Sequence, residues 1–251
     1  MSEQIDTSFD FRTDTPFKRG TAEIKDPDSH SPKLRHYHKL LWSKKLPNGK
    51  VFNLESCPGK YLRHYSELGE FFLTSDTVIN CFDGHKSKEA RIVNEVSSET
   101  IKNFNTLTYL IGGMMVFPGN RIDNKGTING VRGLNHQIKD RFDLTLECIR
   151  RHYLKQNSPL SEVLDRYGNF FQLFENFRNY VEYFLLQDLV NDDCSKVKFF
   201  THFDDFQSSP IPKILDDYQN FLKNAADFIL SRNKRISEFS FDSSTEIRLV
   251  V

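Results

Sequence analysis

Apolar residues recur at helical spacing through the second half of the chain and only in short, broken patches through the first. From Pro32 to Trp42, Leu34, Tyr37 and Leu41 fall on one face. Ser31 is placed to cap and Pro32 suits the first helical position, so a helix is predicted. Leu46 to Lys50 carries an Asn-Gly turn signal, and Val51 to Leu54 reads as a short strand. Tyr61 to Phe82 is rich in aromatic and β-branched residues and predicts two strands meeting around Ser75-Asp76. Phe9-Asp10-Phe11 reads as a short edge strand. Thr106 to Phe117 is the clearest strand, interrupted at Gly112-Gly113 by a bulge or a close backbone approach. The glycines and asparagines between Asp123 and Leu134 predict an ordered loop.

From Asp140 the period turns helical: Asp140 suits an N-cap, and Phe142, Leu146, Ile149 and Tyr153 follow on one face. Asn157-Ser158-Pro159 stops that helix, and Ser158 caps a short one reaching Leu164. Phe170 to Val190 has a wide apolar arc, predicting one long helix near the centre of the fold. Val197 to Phe200 reads as a strand. Lys213 to Arg232 reads as the last strong helix, with Ile214, Tyr218, Phe221, Ala225 and Phe228 inward. The pattern predicts an α+β fold, an irregular and partly β N-terminal half packed on a C-terminal group of three to four helices. Its divisions are an arm (1–32), a single domain (33–236; β-rich 33–134, helical 135–236) and a Ser-rich tail (237–251).

Composition narrows the function classes. The chain's 251 residues carry 34 Lys+Arg against 34 Asp+Glu, which removes any global field for coating nucleic acid and leaves room for a local basic patch. With 38% hydrophobic residues and 23 Phe, a bulky core is expected and a wholly disordered chain is excluded. The longest uncharged stretch, Phe104 to Asn120, is 17 residues and is broken by Gly112, Gly113 and Pro118, so no membrane partner is expected. Met1 to Gly20 lacks an apolar signal-peptide core, and Cys57, Cys81, Cys148 and Cys194 are scattered without CxxC spacing. A cytoplasmic setting is the expectation.

Phosphate-loop, dinucleotide, nucleophile-elbow and zincin motifs are absent, and no motif names a cofactor. The densest polar constellation runs through Asn120, Arg121, Asn129 and Arg132 into a helix bearing Asp143, Glu147 and Arg151. Paired guanidinium forks beside a glycine-bearing loop suit capture of an anionic small molecule or a nucleic-acid segment. Arg121, Arg132 and Arg151 would neutralise charge, and Asn120 and Asn129 would orient it. An enzymatic alternative makes Asp143 or Glu147 a base or a divalent-cation ligand. A scaffold alternative pairs the same charges with one another. His36 and His38 could share a metal only on a strand, whereas the predicted helix sets them 200° apart, so no metal is assigned. Asp204-Asp205 reads as a surface turn, and His136 and His152 have no third ligand. The long aromatic helix could instead serve a homodimer.

Several longer stretches have a familiar look. They are Trp42-Ser43-Lys44, Ser66-Glu67-Leu68-Gly69-Glu70-Phe71, Gly112 through Arg121, Thr127-Ile128-Asn129-Gly130, and Asp140 through Tyr153. Together they resemble a bacterial family known only as a domain of unknown function, over about Phe9 to Ile236. The resemblance implies an intracellular protein of bacterial or phage association. It carries no activity and no assigned residues.

Overall fold

Strands β2 (Leu62–Ser66) and β3 (Gly69–Thr77) form a hairpin around Glu67-Leu68, where Gly69 holds a φ of 132° that side-chain-bearing residues avoid. Strand β1 (Glu55–Ser56) adds to one edge and β4 (Met114–Pro118) to the other, giving an antiparallel sheet in the order β1-β2-β3-β4. These strands belong to a computed structural model that describes residues 4–57, 62–83 and 91–239. β4 is buried along its whole length although it ends the sheet. Helix α4 (Ile128–Leu134) packs on it, and Arg232 donates to the Met114 carbonyl at 2.7 Å.

Helix α1 (Pro27–His30) and helix α2 (Pro32–Trp42) precede the sheet. Ser31 caps α2 as expected, its hydroxyl accepting from Leu34 N–H at 3.1 Å. The same hydroxyl donates to Asp14 at 2.6 Å, and Asp14 also accepts from Lys33 N–H, so the N-terminal arm is tied to α2. Ile5 and Phe11 of that arm are in the core. Phe9-Asp10-Phe11 forms no strand: it leads from one turn at Thr7-Ser8 into another beginning at Phe11, with Asp10 engaged by Arg12.

Helix α3 (Ser98–Thr108) takes the first part of the stretch expected to be a strand, because Ser97 caps it and Phe104 buries one face. The strand begins only at Met114. Gly112-Gly113 marks the second of the two expected devices, a close approach: a Cβ on Gly112 would lie 2.4 Å from the Ile229 carbonyl. Helix α9 (Leu215–Ser237) runs over that point, and Asn233 accepts from Gly112 N–H at 2.7 Å. α9 outlasts its predicted end because Arg232 and Ile236 continue the buried stripe.

Between them lie α5 (Phe142–Tyr153), α6 (Ser161–Arg166), α7 (Gly168–Gln172) and α8 (Phe177–Tyr183). The single helix expected over Phe170 to Val190 is broken at Glu175, whose φ is 65°, and restarted by Asn176, which accepts from Asn179 N–H. Asn176 is a capping signal that the wide apolar arc obscured. Val51 and Val197 make isolated bridges and no full strand. Among the described residues the fold is α+β, with nine α-helices and one four-stranded antiparallel sheet. None of its helices is long and apolar enough to cross a membrane.

Candidate functional site

The stretch read as an ordered loop is α4, and its sequence explains why. Thr127 caps it by accepting from Gly130 N–H, Ile128 is buried, and Arg132 projects from the same face into the protein. After α4, Asn135 gathers the chain back: its side chain accepts from Gln137 N–H at 2.8 Å and its carbonyl from Lys139 N–H at 2.8 Å. Lys139 and Asp140 then adopt left-handed φ values of 46° and 65° in succession. Two such residues in a row store strain, and it is held by what each side chain meets. Asp140 turns inward to Arg132, whereas Lys139 turns to a cavity. Asp140 therefore does not cap α5; Arg141 occupies that position without a side-chain cap.

Arg132 is fully buried and saturated. It donates to Thr145 Oγ1 (3.2 Å), Asp76 (2.5 Å), the Val78 carbonyl (2.8 Å) and the Asp140 carbonyl (3.0 Å), and pairs with the Asp140 carboxylate at 2.6 Å. Asp28 sits at the outer end of this network on Thr77. Burial lifts the Asp28 carboxyl to about 6. Asp76 is also raised: burial outweighs the attraction of Arg132, and the carboxylates of Asp140 and Asp28 repel it. Three acids around one guanidinium present no positive face.

Asp143 lies beneath the next segment. It is fully buried, accepts a two-pronged bond from Arg141, and accepts Phe200 N–H at 2.8 Å. Arg141 reaches on to the Pro210 carbonyl at 2.9 Å. Glu147 accepts from Arg150 (2.7 Å) and Arg151 (2.8 Å), and Arg151 lies over the Phe206 ring at 4.8 Å. Gln137 donates to the Phe206 carbonyl at 2.8 Å. The expected convergence of Arg121, Arg132, Asp143 and Glu147 on one hollow is not formed: Arg132, Asp143 and Glu147 sit in separate, mutually satisfied clusters, and Arg121 joins none of them. The clusters on α5 grip the segment 199–213.

Arg121 is exposed and engages no described residue. Asn120 contributes its carbonyl to Tyr167 Oη at 2.7 Å, and Asn129 donates to Thr74 at 3.4 Å with its Oδ1 buried and unpartnered. His36 and His38 both lie on α2, where His38 is buried on Trp42 and Ser75 and His36 is exposed.

The gripped segment and the strained connector enclose a cavity of about 300 Å³. His136, Gln137 and Lys139 form one wall, and Phe206 to Ile211 with Lys213 the other. Among the described residues its titratable lining side chains are a histidine and two lysines, with no carboxylate. Ser208 and Ser209 add hydroxyls. Such a hollow offers charge and donors to an anion. Sequence reasoning passed over these residues because they are scattered. The Ser-Ser-Pro stretch between two apolar anchors, Phe206 and Ile211, was the available signal for a presented loop. A second basic hollow of about 260 Å³ lies beside α2, lined by His30, Arg35, His36 and Lys39.

A family model described as "Family of unknown function (DUF6994)" matches residues 5–236. No curated protein and no solved structure matches the chain.

Proposed function

The chain belongs to the DUF6994 family of unknown function, and within it we propose a binding module for a small anionic ligand held between residues 136–139 and 206–213. One observation carries this reading: among the described residues the cavity's ionisable lining is basic, in a chain whose net charge is zero. His136, Lys139 and Lys213 neutralise the ligand, and Ser208 and Ser209 bond its oxygens. Arg141, Asp143 and Arg151 act from behind by fixing the segment that forms the wall. The four free thiols suit a reducing, cytoplasmic setting.

Thermal shift with pyrophosphate tests the proposal. A ligand at a hundred times its Kd stabilises by about 2.7 kcal/mol, raising Tm by roughly 5–10 °C in a chain of this size. Lys213→Glu abolishes the shift, whereas Arg35→Glu, in the hollow beside α2, retains it. A shift lost in Arg35→Glu and kept in Lys213→Glu transfers the function to α2; no shift in the wild type removes the reading.

A further inference from the structure

Beside the anion cavity opens a second hollow, of about 440 Å³, whose walls include Phe199, Phe203, Asp217, Asn220 and Asn224. An aromatic row joins the two. The Phe199 and Phe203 ring centroids are 4.4 Å apart, those of Phe203 and Phe206 are 5.0 Å apart, and Phe206 lines the anion cavity. Phe199 and Phe203 are only half-buried, so ring surface faces the hollow.

The opposite wall is one stripe of α9, on which Asp217, Asn220 and Asn224 follow at spacings of three and four. Asn224 donates to the Phe200 carbonyl at 2.9 Å, which leaves its side-chain oxygen available as an acceptor. Asp217 and Asn220 are exposed, and their side chains bond no described residue. An apolar ring surface facing a row of amide and carboxylate groups matches a planar heterocycle, which stacks through its face and bonds through its edge.

We propose that the two hollows form one mononucleotide site, an inference that rests on the anion reading above. The phosphate lies among His136, Lys139 and Lys213. The base stacks on Phe199 and Phe203, with its N–H edge accepted by Asn224 and its remaining edge met by Asn220, one turn away on α9. A nucleic-acid strand is disfavoured, because Asp217 lines the base hollow and Asp204, Asp205 and Asp216 neighbour its lining residues in sequence, adding charge that repels further phosphates.

Calorimetric titration with inorganic phosphate, AMP, GMP and a short single-stranded oligonucleotide tests this. AMP or GMP binds about ten- to a hundredfold more tightly than inorganic phosphate, the gain expected from one stacked base. Phe199→Ala and, on the exposed helix surface where folding is not at stake, Asn220→Ala each reduce that ratio. Lys213→Glu weakens phosphate and nucleotide alike. Nucleotides no tighter than phosphate, or a ratio untouched by Asn220→Ala and Phe199→Ala, overturn the base site while leaving the anion cavity standing. No binding by any anion removes both. Tighter binding of the oligonucleotide than of either mononucleotide overturns the mononucleotide assignment.

Discussion

The segment 199–213 has two sides. On the inner side every charge is answered: Asp143 takes Arg141 and the Phe200 N–H, Arg141 continues to Pro210, and Glu147 holds Arg150 and Arg151. On the outer side His136, Lys139 and Lys213 line a hollow that no carboxylate of the described residues enters. The inner side is dense in charge and closed, whereas the outer is sparse and open. The difference separates charge that braces the segment from charge that faces a cavity. The proposed ligand-facing residues are those that line this cavity.

Breaking the inner side carries the largest cost. Asp143→Ala strands the buried Arg141 guanidinium and orphans the Phe200 N–H, with an expected loss of about 3–5 kcal/mol in chemical denaturation. A loss below about 1 kcal/mol means the inner pairs do not brace the wall. Next in size is a pH effect at the far end of the Arg132 network. Asp28 has a folded pKa of about 6 against roughly 3.9 when unfolded, so between these values the folded chain binds the extra proton. Stability therefore falls as pH rises from about 4 to about 6, by less than about 1.4 kcal/mol per unit. Asp28→Asn flattens that slope in unfolding curves across the window, and an unchanged slope contradicts the assignment.

Smaller again is Glu147→Gln, which weakens two partly exposed pairs and is expected to cost about 1 kcal/mol. The outer side is the limiting case. Lys213→Glu changes stability by no more than about 0.5 kcal/mol while weakening pyrophosphate at least about tenfold by calorimetry. A stability loss like that of Asp143→Ala would erase the distinction between the two sides.

Helices with a cap and a single apolar stripe were legible from sequence, as Ser31 with Leu34, Tyr37 and Leu41 illustrates. The α+β class followed from the change of period at Asp140. What stayed hidden depended on tertiary partners. Arg132 reads as a surface arginine until Asp76, 56 residues away, meets it from β3. Gly112-Gly113 reads as a bulge or a close backbone approach, and α9 crossing it decides for the second. The cavity was the least legible feature, because residues 136–139 and 206–213 have no common pattern. Gln137, Arg141 and Arg151 reach across to join them. Asp143 reads from sequence as a base or cation ligand and Arg151 as a ligand-binding residue, and the fold sets both one layer behind the cavity.

Amide chemical shifts recorded while pyrophosphate is titrated into the wild-type chain locate the ligand directly. The account predicts the largest movements at Lys139, Ser208, Ser209 and Lys213, with Arg35, His36 and Lys39 left in place. Movements confined to α2, or absent from 136–139 and 206–213 at saturating ligand, would contradict it.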